Sequence, residues 1–113
     1  MENYVEAKYE YCEVKRDSNE KTLFVYETLM ENVDIPNGIG FNWSYYASDF
    51  AEIIGGYIPG AILTALVKRG LIGTDGKDQR LNKNIYYVSP EMYDYYKNVY
   101  KTSKDEYYSE GDI

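Results

Sequence analysis

The chain has 113 residues, with 12 Lys+Arg against 19 Asp+Glu for a formal net charge of −7, and 44 % of it is hydrophobic. That is apolar material for one domain with a core and too little length for two; the acidic balance excludes binding of nucleic acid by bulk basic charge but leaves room for a local basic patch. With no His and a single Cys, disulfide scaffolds, Cys/His zinc sites, His general bases and Cys–His nucleophile pairs all drop out, so neither an enzyme nor a cofactor is expected.

Residues 1–16 carry a short alternation, with Val5, Ala7, Tyr9 and Tyr11 on one side and Glu6, Lys8 and Glu10 on the other. That period predicts an edge strand or an extended N-terminal arm. Asp17 with Glu20 has capping-box spacing, and Leu23, Tyr26, Met30 and Val33, broadened by Val25 and Leu29, make the buried stripe of a first helix over residues 22–33. Pro36, Gly38 and Gly40 end it. Phe41 to Tyr46 reads as one short pairing segment. Ser44 or Ser48 is the expected cap of a second helix through Asp49–Ile54, which stops at Gly55-Gly56. Pro59 suits the first turn of a third helix, buried through Ile62, Leu63, Leu66 and Val67 and closed by Gly70.

Leu71–Thr74 and Ile85–Val88 read as paired strands around a long polar loop, Asp75–Asn84, whose Asp75-Gly76 favours the turn. Ser89-Pro90-Glu91 opens a last helix with a cap, a proline at its first position and an acid in its first turn. Met92, Tyr93, Tyr96 and either Val99 or Tyr100 supply its stripe. The segment 101–113 is polar and acidic, and reads as a disordered tail. Its acids lack the alternation and the central Gly of a calcium loop.

The blocks Tyr46–Gly55, Ile62–Ile72 and Tyr87–Glu91 resemble a winged helix-turn-helix domain, similar to those of MarR-like regulators and of many small phage proteins. Ala51 stands where that family packs a small residue against the next helix. Val67–Ile72 matches its "leucine, two charged residues, glycine, apolar pair" ending, with Val67 at the leucine position, and Tyr87–Pro90 its entry to the last helix. The resemblance covers residues 20–100. It implies an α+β fold with a three-helix core, a two-stranded wing and a C-terminal helix, forming one domain over residues 17–100 between the N-terminal arm and the acidic tail. It also implies a homodimer.

The function expected from that resemblance is DNA-binding transcription regulation, with double-stranded DNA held by the third helix and the wing. Residues 55–83 hold Lys68, Arg69, Lys77, Arg80 and Lys83 against Asp75 and Asp78, a net of +3, while residues 1–54 carry −7 and residues 84–113 carry −3. The one positive stretch thus coincides with the elements such a fold brings to a duplex. The start of the third helix has no Arg, Lys, Asn or Gln, so base reading would fall to Tyr57 and Thr64, with Gly60 and Ala61 allowing close backbone approach. Lys68 and Arg69 fit a helix C-terminus equally well, where cations offset the dipole.

Tyrosine is in surplus, 15 against 3 Phe and 1 Trp, and its apolar face with a polar tip suits half-buried positions and interaction surfaces. Tyr93, Tyr96 and Tyr100 are therefore candidates for a dimer or partner interface, with core packing as the plainer reading. A second function stays open: an acidic, tyrosine-rich interaction module or inhibitor that binds a basic nucleic-acid-processing protein. No stretch reaches the roughly 20 apolar residues of a spanning helix, and Met1–Tyr4 does not open a signal peptide. A cytoplasmic protein without membrane contact is expected, with Cys12 a small, partly buried residue.

Overall fold

In a computed structural model, residues 10–16, 18–33 and 43–111 are described. Helix α1 (residues 10–16) leads to α2 (Glu20–Asn32), then β1 (Trp43–Tyr45), α3 (Ala47–Ile54), α4 (Gly60–Lys68), β2 (Gly73–Asp78) and β3 (Lys83–Val88). A long C-terminal helix follows as α5 (Pro90–Tyr95), a π-helical turn (Tyr96–Tyr100) and α6 (Lys101–Gly111). The chain is an α+β fold.

Two expectations at the ends need correction. Within residues 10–16 the chain is helical rather than extended, because Tyr11 and Val14, three apart, both reach the core at 2 % and 1 % exposure. Three-residue spacing puts them on one helical face, whereas a strand would have sent them to opposite sides. Residues 1–9 and Asp17 lie outside the described residues. Residues 101–111, read as a disordered tail, continue the last helix. Ser103 is fully buried there, and its Oγ accepts the Tyr11 N–H at 2.6 Å.

Helix α2 buries the predicted stripe, Leu23, Val25, Tyr26, Leu29 and Met30, with Val33 just past its end. Its cap is Asn19, whose Oδ1 accepts the Thr22 N–H at 2.7 Å. Helix α3 is capped by neither predicted serine. The Asp49 carboxylate accepts the Tyr46 N–H at 2.7 Å instead, and Gly55 ends the helix at φ +83°, a left-handed conformation that glycine adopts freely. Pro59 caps α4 from the position before its first turn, and Ile62, Leu63 and Leu66 face the core while Val67 is half-buried.

The sheet is antiparallel and three-stranded, in the order β1-β3-β2. The Trp43–Tyr45 segment pairs with β3 at Trp43↔Val88 and Tyr45↔Tyr86, which makes β3 the central strand. Strand β2 begins at Gly73, and Leu71 and Ile72 fill the core just before it. The expected long hairpin loop is mostly strand. Pairing continues out to Asp78↔Lys83, and the reversal takes place over residues 79–82. Asp75-Gly76 is thus a bulge rather than the turn: the register slips between Thr74 and Gly76, with Gly76 at φ +86°. Thr74 fastens it, since its Oγ1 donates to the Ile85 carbonyl at 2.8 Å and accepts the Gly76 N–H at 3.2 Å.

Ser89 caps the last helix as expected, its Oγ accepting the Met92 N–H at 3.1 Å, with Pro90 at the first helical position. The inward stripe runs Met92, Tyr96, Tyr100, Ser103 and Tyr107. Two successive four-residue steps outrun the 3.6-residue α period, and the π turn over Tyr96–Tyr100 absorbs the difference.

Candidate nucleic-acid interface

Helix α4 turns one face inward and leaves Gly60, Thr64 and Lys68 exposed at four-residue spacing, a single outward stripe. Tyr57 precedes the helix and is 84 % exposed. Arg69, just past the helix end, is half-buried and lies close enough to Tyr95 to act on its hydroxyl electrostatically. The cations of the hairpin, Lys77, Arg80 and Lys83, are all exposed. Among the described residues, no salt bridge holds Lys68, Lys77, Arg80 or Lys83.

The hairpin tip is held in place by a residue that sequence reading passed over. Asp78 closes the turn on itself: its Oδ1 accepts the Arg80 N–H at 2.9 Å and the Leu81 N–H at 3.3 Å. Its Oδ2 accepts the Tyr46 hydroxyl at 2.8 Å. Tyr46 sits at the start of α3, so this hydrogen bond ties the tip of the hairpin to the helical layer. The Tyr46 hydroxyl, followed by the Leu81 and Arg80 N–H groups, holds the Asp78 carboxyl below the usual carboxylate range. The same bond pushes the Tyr46 hydroxyl up. Lys83 places its ammonium 5.6 Å from the Tyr46 ring centroid, and these residues border a shallow pocket completed by Ala47, Ser48, Asn84 and Tyr86. In the sequence, Asp78 only subtracts one charge from a basic stretch. In the fold it is the residue that shapes the turn.

The tyrosines chosen as interface candidates lie elsewhere. Tyr96 and Tyr100 are 3 % and 1 % exposed and belong to the core of the chain, the plainer of the two readings; Tyr93 is half-buried beneath Lys97, whose ammonium is 5.4 Å from its ring. Their hydroxyls point at α2. Tyr96 donates to Glu31 at 2.7 Å, and Tyr100 donates to Glu27. Lys101 and Lys104 complete the rungs, at 3.3 Å from Glu31 and 2.7 Å from Glu27. The pairing is antiparallel, and its signal was present as matching four-residue spacings, Glu27/Glu31 on one helix and Tyr96/Tyr100 on the other. Burial first, then the bond to the carboxylate, raises the pKa of both hydroxyls above the ordinary tyrosine value.

Helix α1 is fastened in the same manner. Tyr95 donates to Glu10 at 2.8 Å, and the Lys15 ammonium donates to the Tyr107 hydroxyl at 3.3 Å while lying 4.8 Å from that ring's centroid. Tyr11 meets Tyr100 edge-on at 5.5 Å and Tyr107 at 5.1 Å. Cys12 is a free, half-buried thiol, as expected.

Among the described residues, no cluster of His, Cys, Asp or Glu is arranged to hold a metal ion, and no helix is long and apolar enough to cross a membrane. No protein-family model, no curated protein and no solved structure matches the chain.

Proposed function

We propose that the chain is a winged-helix protein that binds double-stranded DNA as a small transcription regulator, with α4 presented to the major groove and the β2–β3 hairpin laid along the backbone as a wing. The observation that carries this reading is the braced hairpin, which exposes Lys77, Arg80 and Lys83 in a chain whose net charge is −7. The order α2, β1, α3, α4, β2, β3, α5 supports the fold, and the stripe Gly60, Thr64 and Lys68 supplies a small, smooth face that a groove can approach closely. With so few base-reading side chains on α4, phosphate contacts dominate the affinity.

The competing reading, an acidic module that captures a basic protein, needs available carboxylates. Glu10, Glu27 and Glu31 already accept hydrogen bonds from tyrosines, and lysines join two of them, which leaves to that reading the exposed Glu13, Glu20, Glu52, Glu91, Asp94 and Asp105. A homodimer would have to use a surface other than the buried Tyr96 and Tyr100.

Fluorescence anisotropy against a generic labelled duplex, from low to physiological salt, tests the proposal. Salt-sensitive binding is expected, and joint replacement of Lys77, Arg80 and Lys83 by Ala should flatten the log–log salt slope by about 0.9 for each phosphate contact removed. All three side chains are exposed, so the fold should survive the change. Absence of binding even at low salt refutes the reading and turns the search to a basic protein partner.

A further inference from the structure

We infer that Leu81 is an apolar wedge, which enters the minor groove at the hairpin tip, unstacks a base step and bends the duplex. The inference rests on the duplex-binding reading and adds to it a mode of contact that basic residues alone do not provide.

A single exposed leucine is ordinary on a protein surface. Leu81 differs in its setting. It is 51 % exposed within the four-residue turn of a hairpin, where polar residues are the rule, and its neighbours on the tip are Arg80, Asn82 and Lys83. Its backbone is fixed rather than loose. The Asp78 carboxylate accepts the N–H of Leu81 and that of Arg80, and the same carboxylate is anchored 32 residues away in sequence by the Tyr46 hydroxyl. Asn82 follows in the left-handed region at φ +55°, which closes the turn tightly. The bulge at Asp75 adds local twist to the ribbon below.

The side chain on that support is half exposed and lies outside the hydrophobic core cluster. The flanking cations name its partner. Lys77, Arg80 and Lys83 put exposed positive charge on and beside the apex in a chain whose net charge is −7, and such a local basic patch attracts a polyanion. A basic tip that carries an aliphatic side chain is the arrangement by which proteins wedge base steps open from the minor groove, exchanging a few kcal/mol of stacking for a bent duplex. Pyrimidine–purine steps open most readily, so duplexes rich in TA and CA steps should bind more tightly than A-tracts of equal length.

A short duplex with a central TA step, labelled at its two ends with a donor and an acceptor dye, tests the inference in the 113-residue chain. Anisotropy reports binding and energy transfer reports bending. The expected result is a rise in transfer upon binding, lost in Leu81→Ala and retained in Leu81→Phe, with both variants still binding and both melting like the parent. Binding by the parent with no change in transfer overturns the wedge and leaves duplex binding standing, and so does an unaltered bend in Leu81→Ala. No binding by the parent at low salt overturns the duplex reading itself, and the wedge with it.

Discussion

The two ends of this molecule use charge in opposite ways. Where α1, α2 and the C-terminal helix meet, each described carboxylate of the ladder faces a tyrosine hydroxyl, and Glu27 and Glu31 also face a lysine. In the hairpin, one carboxylate, Asp78, accepts from two backbone N–H groups and a tyrosine, while Lys77, Arg80 and Lys83 near it are exposed. The first arrangement consumes its polar groups to hold helices together. The second uses one polar group to hold a shape and leaves the rest available. Net charge cannot distinguish them, because it gives a paired Glu27 and an exposed Lys77 their full unit charge whatever each side chain touches.

Alkaline pH should break the comparison most severely. Burial, followed by the bonds to Glu10, Glu31 and Glu27, raises Tyr95, Tyr96 and Tyr100 above the ordinary value of 10.0, and burial raises Tyr26 and Tyr11 as well. A folded-state pKa above the unfolded one means the stabilisation is complete below about pH 10 and is lost as pH rises through the folded values. The helical end should therefore unfold in strong alkali, with a cooperative burst of tyrosinate absorbance that coincides with loss of helical circular dichroism. A gradual titration with the helix signal intact would show that the ladder is not what holds the C-terminal helix.

Substitution within the ladder gives the next largest effect. Tyr100→Ala removes a ring that touches Tyr11, Tyr26 and Tyr96 and should cost about 3–5 kcal/mol in denaturant unfolding. Tyr100→Phe keeps the ring and removes only the donor to Glu27, which Lys104 still reaches, so a loss of about 1–2 kcal/mol is expected. Equal losses from the two would mean the hydroxyl, rather than the packing, is the dominant contribution.

Much of the helical core was legible beforehand because apolar periodicity reports it directly. Leu23, Tyr26, Leu29 and Met30 on α2 and Ile62, Leu63 and Leu66 on α4 lie where their spacing requires. The Ser89-Pro90 start of the last helix was equally plain, since a cap is a local signal. What escaped was set by partners distant in sequence. Residues 101–111 look like a tail until Tyr11 and α2 are placed beside them, for their polar groups are matched by partners 70 to 97 positions away. Asp75-Gly76 carries a strong turn signal, yet pairing beyond it is kept by the Thr74 hydroxyl and by the Asp78 turn further out. The exposed cations of the candidate interface could be read from charge alone. The Tyr46–Asp78 brace that positions them joins residues 32 apart and leaves no trace in composition.

At the base of the hairpin, the comparison can be sharpened through Gly73. It lies opposite Tyr87 in the ladder, and a Cβ there would overlap the Tyr87 ring. Gly73→Ala should cost about 1–3 kcal/mol, in the range of an overpacked site. A second change, Tyr87→Ala, should reduce the additional cost of Gly73→Ala to near zero, because the ring it meets is gone. Additive losses in the double variant would place the constraint in the backbone instead.

The smallest effect separates shape from stability at the hairpin tip. Tyr46→Phe retains the ring under Lys83 and removes the hydroxyl that reaches Asp78. The carboxylate is accessible to water, so the global cost should be small. The local effect should be larger, because Asp78 would keep its bonds to the Arg80 and Leu81 N–H groups without an anchor to α3. Amide exchange at Arg80 and Leu81 should accelerate while that of Tyr86 and Val88, paired on the central strand, stays unchanged. Under the proposed duplex binding, affinity should fall in parallel, since a loosened tip must be ordered again on binding. Unchanged exchange at the tip would show that the Asp78 turn is self-sufficient, and the contrast between the two ends would then rest on charge exposure alone.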